Sequence, residues 1–387
     1  MKLPPQSQID RPLIIDTPAS LNMLRQALQD EPRLAIDTEA NSLYAYQAQV
    51  CLIQVSTDEQ DYLLDPLPFD RSELDFLGII CADPAVEKVF HAAEYDVMIL
   101  RRDLGFSFAN IFDTMIAARV LGWEQFGLGT ILAERYGVKV NKKHQRANWG
   151  RRPLTNDLIR YAQMDTHYLL SLRDELHNDL VKGDHLEEAR EMFDEVCLAE
   201  WNGLDFDPDG YWRIHHVRDL EPREIAVLRD LYLFREEQAQ RKNLPVFKVM
   251  GDQTLIELAQ VQPRSMKELR YKAGLSDVQA RRYGNGVLDA IRRGLTADVP
   301  SRPRRNGRKA DETTIQRYEA LHLWRKERAM QRGVSSEVVA SKDALWELAR
   351  KAPQSMSDLQ SLKHLGPWRV KTYGPEVIEV ISKLEKQ

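Results

Sequence analysis

The amino-acid sequence predicts an α/β domain in the first half of the chain and an all-helical second half. Up to about residue 200, short runs rich in Val, Ile and Leu alternate with amphipathic helical patterns. Beyond that point the strand signals disappear. The second half also repeats itself, because residues 231–291 align without a gap with residues 321–381. Such a repeat indicates two copies of one helical module.

The strands and helices of the first half follow in order along the chain. "PLIIDTPASLNMLRQALQD" predicts a strand and then a helix, with Thr17 as N-cap and Pro18 at the first helical position. The segments "LAIDTEA", "QVCLIQVST", "DYLLDPL" and "VEKVFHA" predict further strands, and "VCLIQV" is apolar on both faces and therefore central. Helices are predicted in "EYDVMILRRDLG", "FDTMIAARVLGW" and "LGTILAERYGV". A long amphipathic helix is predicted from an N-cap at Thr155 to Gly183.

Turn residues and charge indicate the domain boundaries. We predict an α/β domain, a linker, a first helical-bundle domain, a basic linker and a second helical-bundle domain, over residues 1–205, 206–219, 220–297, 298–312 and 313–387. Residues 264–309 carry 13 Lys/Arg against 4 Asp/Glu, a balance of 13 − 4 = +9, although the whole chain has a net charge of −5. This region indicates either a polyanion partner or a solvated surface with a charged linker.

The composition excludes several classes of protein. The cysteines Cys51, Cys81 and Cys197 are far apart and no CxxC occurs, which excludes a zinc-binding spacing and a disulfide framework. No run reaches the roughly 18 apolar residues of a membrane helix. The N-terminus "MKLPPQSQIDRPL" lacks the apolar core of a signal peptide. We therefore expect a cytoplasmic protein without a membrane partner.

Five residues are candidates for chemistry. Asp37 and Glu39 lie two apart at the end of a strand and so share one face. Asp96 lies in the first turn of a helix, where the helix dipole alone would favour it. Tyr161 and Asp165 are four residues apart and project from one helical face. Each feature alone is also explained by a solvated strand end, a capped helix or a structural hydrogen bond.

The combination of these acids is more informative than any single one. Four carboxylates in one site would hold a charge near −4, which only bound cations make tolerable. Hard oxygen ligands favour Mg²⁺ or Mn²⁺ over zinc. Two such ions about 3.5–4 Å apart can clamp a phosphodiester during hydrolysis. The residues therefore indicate metal-assisted phosphoryl hydrolysis.

Three short motifs give a specific resemblance. "IDTEA", "HAAEYD" and "YAQMD" resemble the exonuclease motifs of the DEDD superfamily of 3′–5′ exonucleases, and the Tyr before the last Asp resembles its DEDDy branch. The segments "DTEANSLYAYQAQVCLIQVS" and "HQRANWGRRPLT" resemble the ribonuclease D family. The repeated helical module resembles the HRDC domain.

This resemblance implies a fold and a reaction. The fold would be RNase H-like, with a mixed sheet flanked by helices, and the reaction would release 5′-mononucleotides from RNA 3′ ends. Precursors of tRNA are the best-known substrate class, and no obligate protein partner is implied. Asp37 would bridge two Mg²⁺ or Mn²⁺ ions, Glu39 and Asp165 would complete the site of the water-activating ion, Asp96 would serve the second ion through water, and Tyr161 would orient the attacking water.

One segment departs from the family pattern. Ala147 and Asn148 precede Trp149 where the family commonly has Ser or Thr and then Asp. Lys142, Arg146 and Trp149 could still offer cations and a stacking surface to RNA, although Trp149 could equally anchor its loop by packing. His91 is expected to be structural, and Asp113 is expected to cap a helix.

Two other functions stay open on the sequence alone. The four acids act on phosphates and do not distinguish ribose from deoxyribose, so DNA is an alternative substrate. A non-catalytic nucleic-acid-binding protein is the other alternative.

Overall fold

A computed structural model describes residues 9–201, 206–272, 274–302 and 310–385. These residues form two compact units. The first unit contains residues 9–39, 50–201 and 310–385, and the second contains residues 40–49, 206–272 and 274–302. The second helical repeat therefore belongs to the same unit as the α/β domain.

Six strands form one sheet within the described residues, in the order β1-β4-β3-β2-β5-β6. β4 is parallel to β1 and antiparallel to β3, while β5 is parallel to β2 and β6. The expected mixed sheet is therefore confirmed. All seven residues of β3 are buried, as its apolar sequence predicts for a central strand. The strands span β1 Leu13–Ile15, β2 Arg33–Ala40, β3 Val50–Ser56, β4 Asp61–Leu64, β5 Glu87–Phe90 and β6 Ile111–Asp113.

Eight α-helices accompany the sheet in the described part of this domain. They are α1 Pro18–Ala27, α2 Asp75–Ala82, α3 Glu94–Leu104, α4 Thr114–Val120, α5 Leu128–Tyr136, α6 Asn156–Thr166, α7 Leu169–Lys182 and α8 Leu186–Cys197. Thr17 caps α1 through a reciprocal bond with Ser20, as predicted. The single long helix predicted from Thr155 to Gly183 is instead two helices. The break falls at His167 and Tyr168, whose side chains contact Asp61 and the Tyr136 ring.

Each helical repeat forms five helices in the same order. The first contains α9 Pro222–Lys242, α10 Val246–Val249, α11 Asp252–Val261, α12 Met266–Lys272 and α13 Asp277–Thr296. The second contains α14 Glu312–Arg332, α15 Ser336–Val339, α16 Lys342–Lys351, α17 Met356–Gln360 and α18 Pro367–Glu385. Part of the segment expected to be a linker packs into the first repeat, because Tyr211, Ile214 and Val217 are buried in its core. Residues 303–309 of the basic linker lie outside the described residues.

The second repeat binds the α/β domain through buried ion pairs on α8. Arg332 at the end of α14 bonds both carboxylate oxygens of Glu188 at 2.6 Å. Arg369 in α18 bonds Glu191 at 2.7 Å. The equivalent positions of the first repeat, 90 residues earlier, are Lys242 and Gln279, which cannot make the same pairs. The two repeats therefore differ where they dock.

The first repeat binds the segment 40–49, which follows β2. The Tyr46 hydroxyl donates to Glu236, and the Tyr46 amide donates to the Asn243 side chain at 3.1 Å. The Lys248 ammonium lies 3.9 Å from the centre of the Tyr44 ring. These contacts explain why a short segment of the α/β sequence belongs to the second unit.

None of the helices in the described ranges is both long enough and apolar enough to cross a membrane.

Candidate active site

Four of the five candidate residues line one cleft of the first unit. Asp37 and Glu39 reach it from β2, and Tyr161 and Asp165 reach it from α6. The cleft has a volume of about 440 Å³. A larger cleft of about 880 Å³ lies in the other unit, but none of the candidate residues lines it. The fold therefore brings together side chains of β2 and α6 that are more than 120 residues apart in sequence.

Asp96 is not among the residues that line this cleft, but it is joined to the cleft by Thr38. It is 6% exposed, in the first turn of α3. The Thr38 hydroxyl donates to Asp96 Oδ1 at 2.5 Å. Because Thr38 stands between Asp37 and Glu39, the strand end contacts the second motif, "HAAEYD", directly.

Asp113 fixes the turn that carries Asp96. Its carboxylate accepts from the backbone amides of Ala92 at 3.1 Å and Ala93 at 2.7 Å, just before α3. It also caps α4, as expected, by accepting from the backbone amides of Met115 at 2.8 Å and Ile116 at 3.1 Å. Ala92 has a φ of 66°, which non-glycine residues adopt only where the surroundings hold them. The contact of Asp113 with the turn before α3 could not be predicted from the sequence, because Asp113 and Ala93 are 20 residues apart.

The carboxylates raise one another's pKa values. Burial, and then the charge of Asp165, raise the pKa of Asp37 well above its ordinary value. Burial and the charge of Asp37 do the same for Asp96, and burial and Asp96 do so for Asp165. Burial together with the other three acids raises the pKa of Glu39 to about 10. The site therefore resists holding four negative charges unless a cation offsets them.

Tyr161 is a neutral hydrogen-bonding group at this site. It is 7% exposed, and burial followed by the charges of Asp165 and Glu39 raises its pKa. Its phenol forms a hydrogen bond with Asp165, which partly offsets the elevation of the pKa of Asp165. Gln145 also bonds Tyr161 and lines the cleft. Sequence reasoning missed Gln145, whose only signal was its place in the segment of candidate RNA contacts.

The candidate RNA contacts differ in how far they are exposed to solvent in the structure. Trp149 is 1% exposed and packs with Tyr161 at 6.0 Å between ring centres, so it anchors its loop and offers no free face for stacking. Arg146 is exposed, on the short helix Lys142–Arg146 that also carries Gln145. The Lys142 side chain lies outside the described residues.

His91 lines the cleft but is held by a neighbouring hydroxyl. Its Nδ1 lies 2.9 Å from Thr114 Oγ1, and the Thr114 hydroxyl contacts the Phe90 carbonyl oxygen at 2.9 Å. Burial lowers the pKa of His91. These contacts agree with the structural role expected of it.

The donor chemistry of the cleft fits a hard divalent cation. Carboxylate oxygens are the ligands that Mg²⁺ and Mn²⁺ prefer. The pKa values of these acids are raised by burial and by other acids, which is the electrostatic condition that a bound cation relieves. In the described ranges, no group of three His, Cys, Asp or Glu side chains is already placed to hold a metal ion, so the fit rests on the type of donor and on the charge of the cleft, and a bound ion would draw the carboxylates together.

Two family models match the chain. A 3′–5′ exonuclease model matches residues 12–181, which include all five candidate residues. The HRDC domain model matches residues 224–291 and again residues 315–381, in agreement with the repeat seen in the sequence.

Curated relatives fall into two groups by length. Ribonuclease D of Granulibacter bethesdensis is 30% identical over 382 residues, which cover 96% of this chain and 93% of the relative. The exosome complex exonuclease RRP6 of Saccharomyces cerevisiae is 30% identical over 266 residues, but the match covers only 36% of that protein. The chain thus spans about a third of the RRP6-type relatives and nearly all of the ribonuclease D relatives.

Solved structures show the same fold. The catalytic core of RRP6 from Trypanosoma brucei matches with a TM-score of 0.68 and 29% identity, over 76% of this chain and 83% of that one. Escherichia coli RNase D matches with a TM-score of 0.67 and 24% identity, over 97% of this chain and 99% of that one. The second match covers both helical repeats as well as the α/β domain.

Proposed function

The chain belongs to the ribonuclease D family of 3′–5′ exoribonucleases, and we propose that it releases 5′-mononucleotides from RNA 3′ ends by phosphodiester hydrolysis. One observation carries the proposal. The cleft gathers Asp37, Glu39, Tyr161 and Asp165, and its Thr38 bonds Asp96, all inside the region that matches the exonuclease model. The cytoplasm is proposed as its location, because Cys51, Cys81 and Cys197 are buried thiols and are not joined in disulfides.

The four carboxylates would hold two divalent ions. Such ions, Mg²⁺ or Mn²⁺, supply a Lewis acid at the scissile phosphate and lower the pKa of water. Asp37 and Glu39 offer oxygens from the strand end, and Asp165 offers them from α6 across the cleft. Asp96 does not line the cleft and is held by Thr38, so we propose that it acts as an outer ligand through water.

Tyr161 would orient the attacking water. Its raised pKa keeps the phenol protonated at neutral pH, so the hydroxyl can donate one hydrogen bond and accept another. Its hydrogen bond with Asp165 places it beside the carboxylate that is expected to hold the water-activating ion. Gln145 also hydrogen-bonds Tyr161, and the Trp149 ring packs with the Tyr161 ring at 6.0 Å between ring centres.

The substrate is proposed to be RNA with an unpaired 3′ end, and tRNA precursors are the favoured class. Arg146 is the proposed phosphate contact near the cleft, and Lys142 is proposed as a second contact on the basis of the sequence alone. Contacts to 2′-hydroxyls would separate RNA from DNA.

The test is a degradation assay on RNA with a structured stem and an unpaired 3′ tail, labelled along its whole length. We expect mononucleotide products in Mg²⁺ or Mn²⁺ and a stop near the stem. Asp165→Asn should lose activity by orders of magnitude, since ligands of one site act as a unit. Asp174→Asn is a matched control, because its side chain is 45% exposed and pairs with Arg33 outside the cleft. Faster loss of a matched DNA strand, or equal rates for wild type and Asp165→Asn, would contradict the proposal.

A further inference from the structure

We propose that Asp61, which does not line the cleft, is a positioning residue that fixes the rotation of α6 and thereby the place of Asp165. This inference rests on the proposed function, because it treats Asp165 as a working ligand. Asp61 begins β4 and pairs in register with Ser56 of β3. It was not among the candidate residues of the sequence.

Asp61 accepts three hydrogen bonds in a buried position. The Ser56 hydroxyl donates to Oδ1 at 2.6 Å, and the Gln163 amide donates to Oδ2 at 2.7 Å. Nδ1 of His167 lies 2.7 Å from Oδ2. The Asp61 side chain is 8% exposed, so these bonds replace the water that a carboxylate would otherwise hold. Thr166 adds a further contact, since its Oγ1 lies 2.7 Å from the Ser56 hydroxyl oxygen.

These contacts hold the face of α6 that points away from the cleft. Gln163 and His167 are four residues apart and share one side of the helix. Tyr161 and Asp165 are also four apart but are offset from them by two residues, which is about 200° around the helix. Asp61 therefore bonds the face of α6 that points away from the cleft, while the opposite face carries Tyr161 and Asp165.

Directional bonds matter here because ligands tolerate little displacement. With side chains included a helix is about 5–6 Å in radius, so a rotation of about 20° would move the Asp165 carboxylate by about 2 Å. Metal ligation requires distances within about 0.2 Å of ideal values. Apolar packing alone is non-directional and would restrain such a rotation less than three charge-assisted bonds do.

The experiment compares full-length wild type with Asp61→Ala. We expect Mn²⁺ affinity, measured by calorimetry on the RNA-free protein, to fall at least about tenfold. We expect kcat on labelled RNA to fall about 10²-fold with KM nearly unchanged, as for a misplacement of about 1 Å. Asp61→Asn keeps one acceptor oxygen for Gln163 and His167. Its Mn²⁺ affinity and kcat should therefore lie between those of wild type and Asp61→Ala. His167→Phe removes a single bond, keeps the aromatic ring and provides the comparison if Asp61→Ala does not fold.

Glu188→Gln is the matched control for a lost buried carboxylate. Glu188 is in the same unit but bonds Arg332 rather than α6, so this variant should lose thermal stability without losing Mn²⁺ affinity or kcat. If the Asp61 variants behave like Glu188→Gln, Asp61 is only structural and the inference is overturned. If wild type neither binds Mn²⁺ nor degrades RNA, the proposed function fails instead, and the two failures are distinct.

Discussion

Replacing Arg332 by Leu should release the second helical repeat from α8. Arg332 bonds both oxygens of Glu188 at 2.6 Å and the Tyr373 hydroxyl at 2.6 Å. The Glu188 side chain is 0% exposed, and Arg332 is 19% exposed. After the substitution, the cationic partner that remains for Glu188 among the described residues would be His185, whose Nδ1 lies 3.6 Å away. A buried carboxylate would then be left almost without compensation.

The expected loss is about 3–5 kcal/mol, which is typical when one partner of a buried ion pair is removed. The exposed pair of Arg190 with Glu187 on the same helix provides the scale for comparison. Its side chains are 58% and 69% exposed, so removing Arg190 should cost less than about 1 kcal/mol. The double substitution Arg332→Leu with Glu188→Leu should regain much of the loss, because no charge stays buried.

Native-state hydrogen exchange of α8 and α14 measures this opening directly, and urea denaturation followed by tryptophan fluorescence gives a second value. Trp368 is a suitable probe, since its amide donates to Glu191 at 2.6 Å in the same interface. The reasoning is refuted if Arg332→Leu costs no more than Arg190→Leu, or if the double substitution is worse than either single one.

Three further outcomes follow from the cleft. With chelator present, stability should fall as pH rises from 5 to 8, because the pKa of Glu39 is raised from 4.5 to about 10 and the folded state binds the extra proton. Glu39→Gln should reduce the dependence of the melting temperature on pH. Equal pH dependence in wild type and Glu39→Gln would contradict this expectation. Tyr161→Phe should lower kcat about 10–100-fold while the melting temperature stays close to wild type, since only a hydroxyl is lost; unchanged kcat would remove Tyr161 from the reaction. Trp149→Ala should cost about 3–5 kcal/mol because the ring is 1% exposed; a loss near zero in urea denaturation would show that the loop does not depend on it.

Local patterns predicted most of the elements that carry the site. The apolar run of β3, the caps at Thr17 and Thr155 and the paired acids of β2 all depend on neighbours in sequence, which is why they could be predicted. β6 was missed because it runs directly into α4, so Phe112 and Asp113 were assigned to the predicted helix. The break in the predicted long helix was missed because Tyr168 and His167 are held by residues far away in the chain.

The residues that support the site were harder to predict than those that form it. The four acids and Tyr161 belong to compact motifs, so spacing and family resemblance were enough to select them. Asp61 and the long-range contacts of Asp113 depend on strand pairing, which no single segment reveals. Trp149 was ambiguous for a related reason, since an aromatic residue in a polar segment can stack on a base or pack inside.

The docking of the two repeats changes what a shortened chain would mean. A protein cut after residue 201 would lose the partners of Tyr46, on the segment that continues from Glu39, and would also leave Glu188 and Glu191 without their arginines. A decrease in activity could then come either from destabilisation of the α/β domain or from weaker binding of RNA, and the assay would not separate the two causes. Removing the repeats therefore also removes contacts that the rest of the chain makes with them. The two repeats are not interchangeable, because Lys242 and Gln279 occupy the positions of Arg332 and Arg369. Contributions to substrate handling are better separated by single surface substitutions in the intact chain.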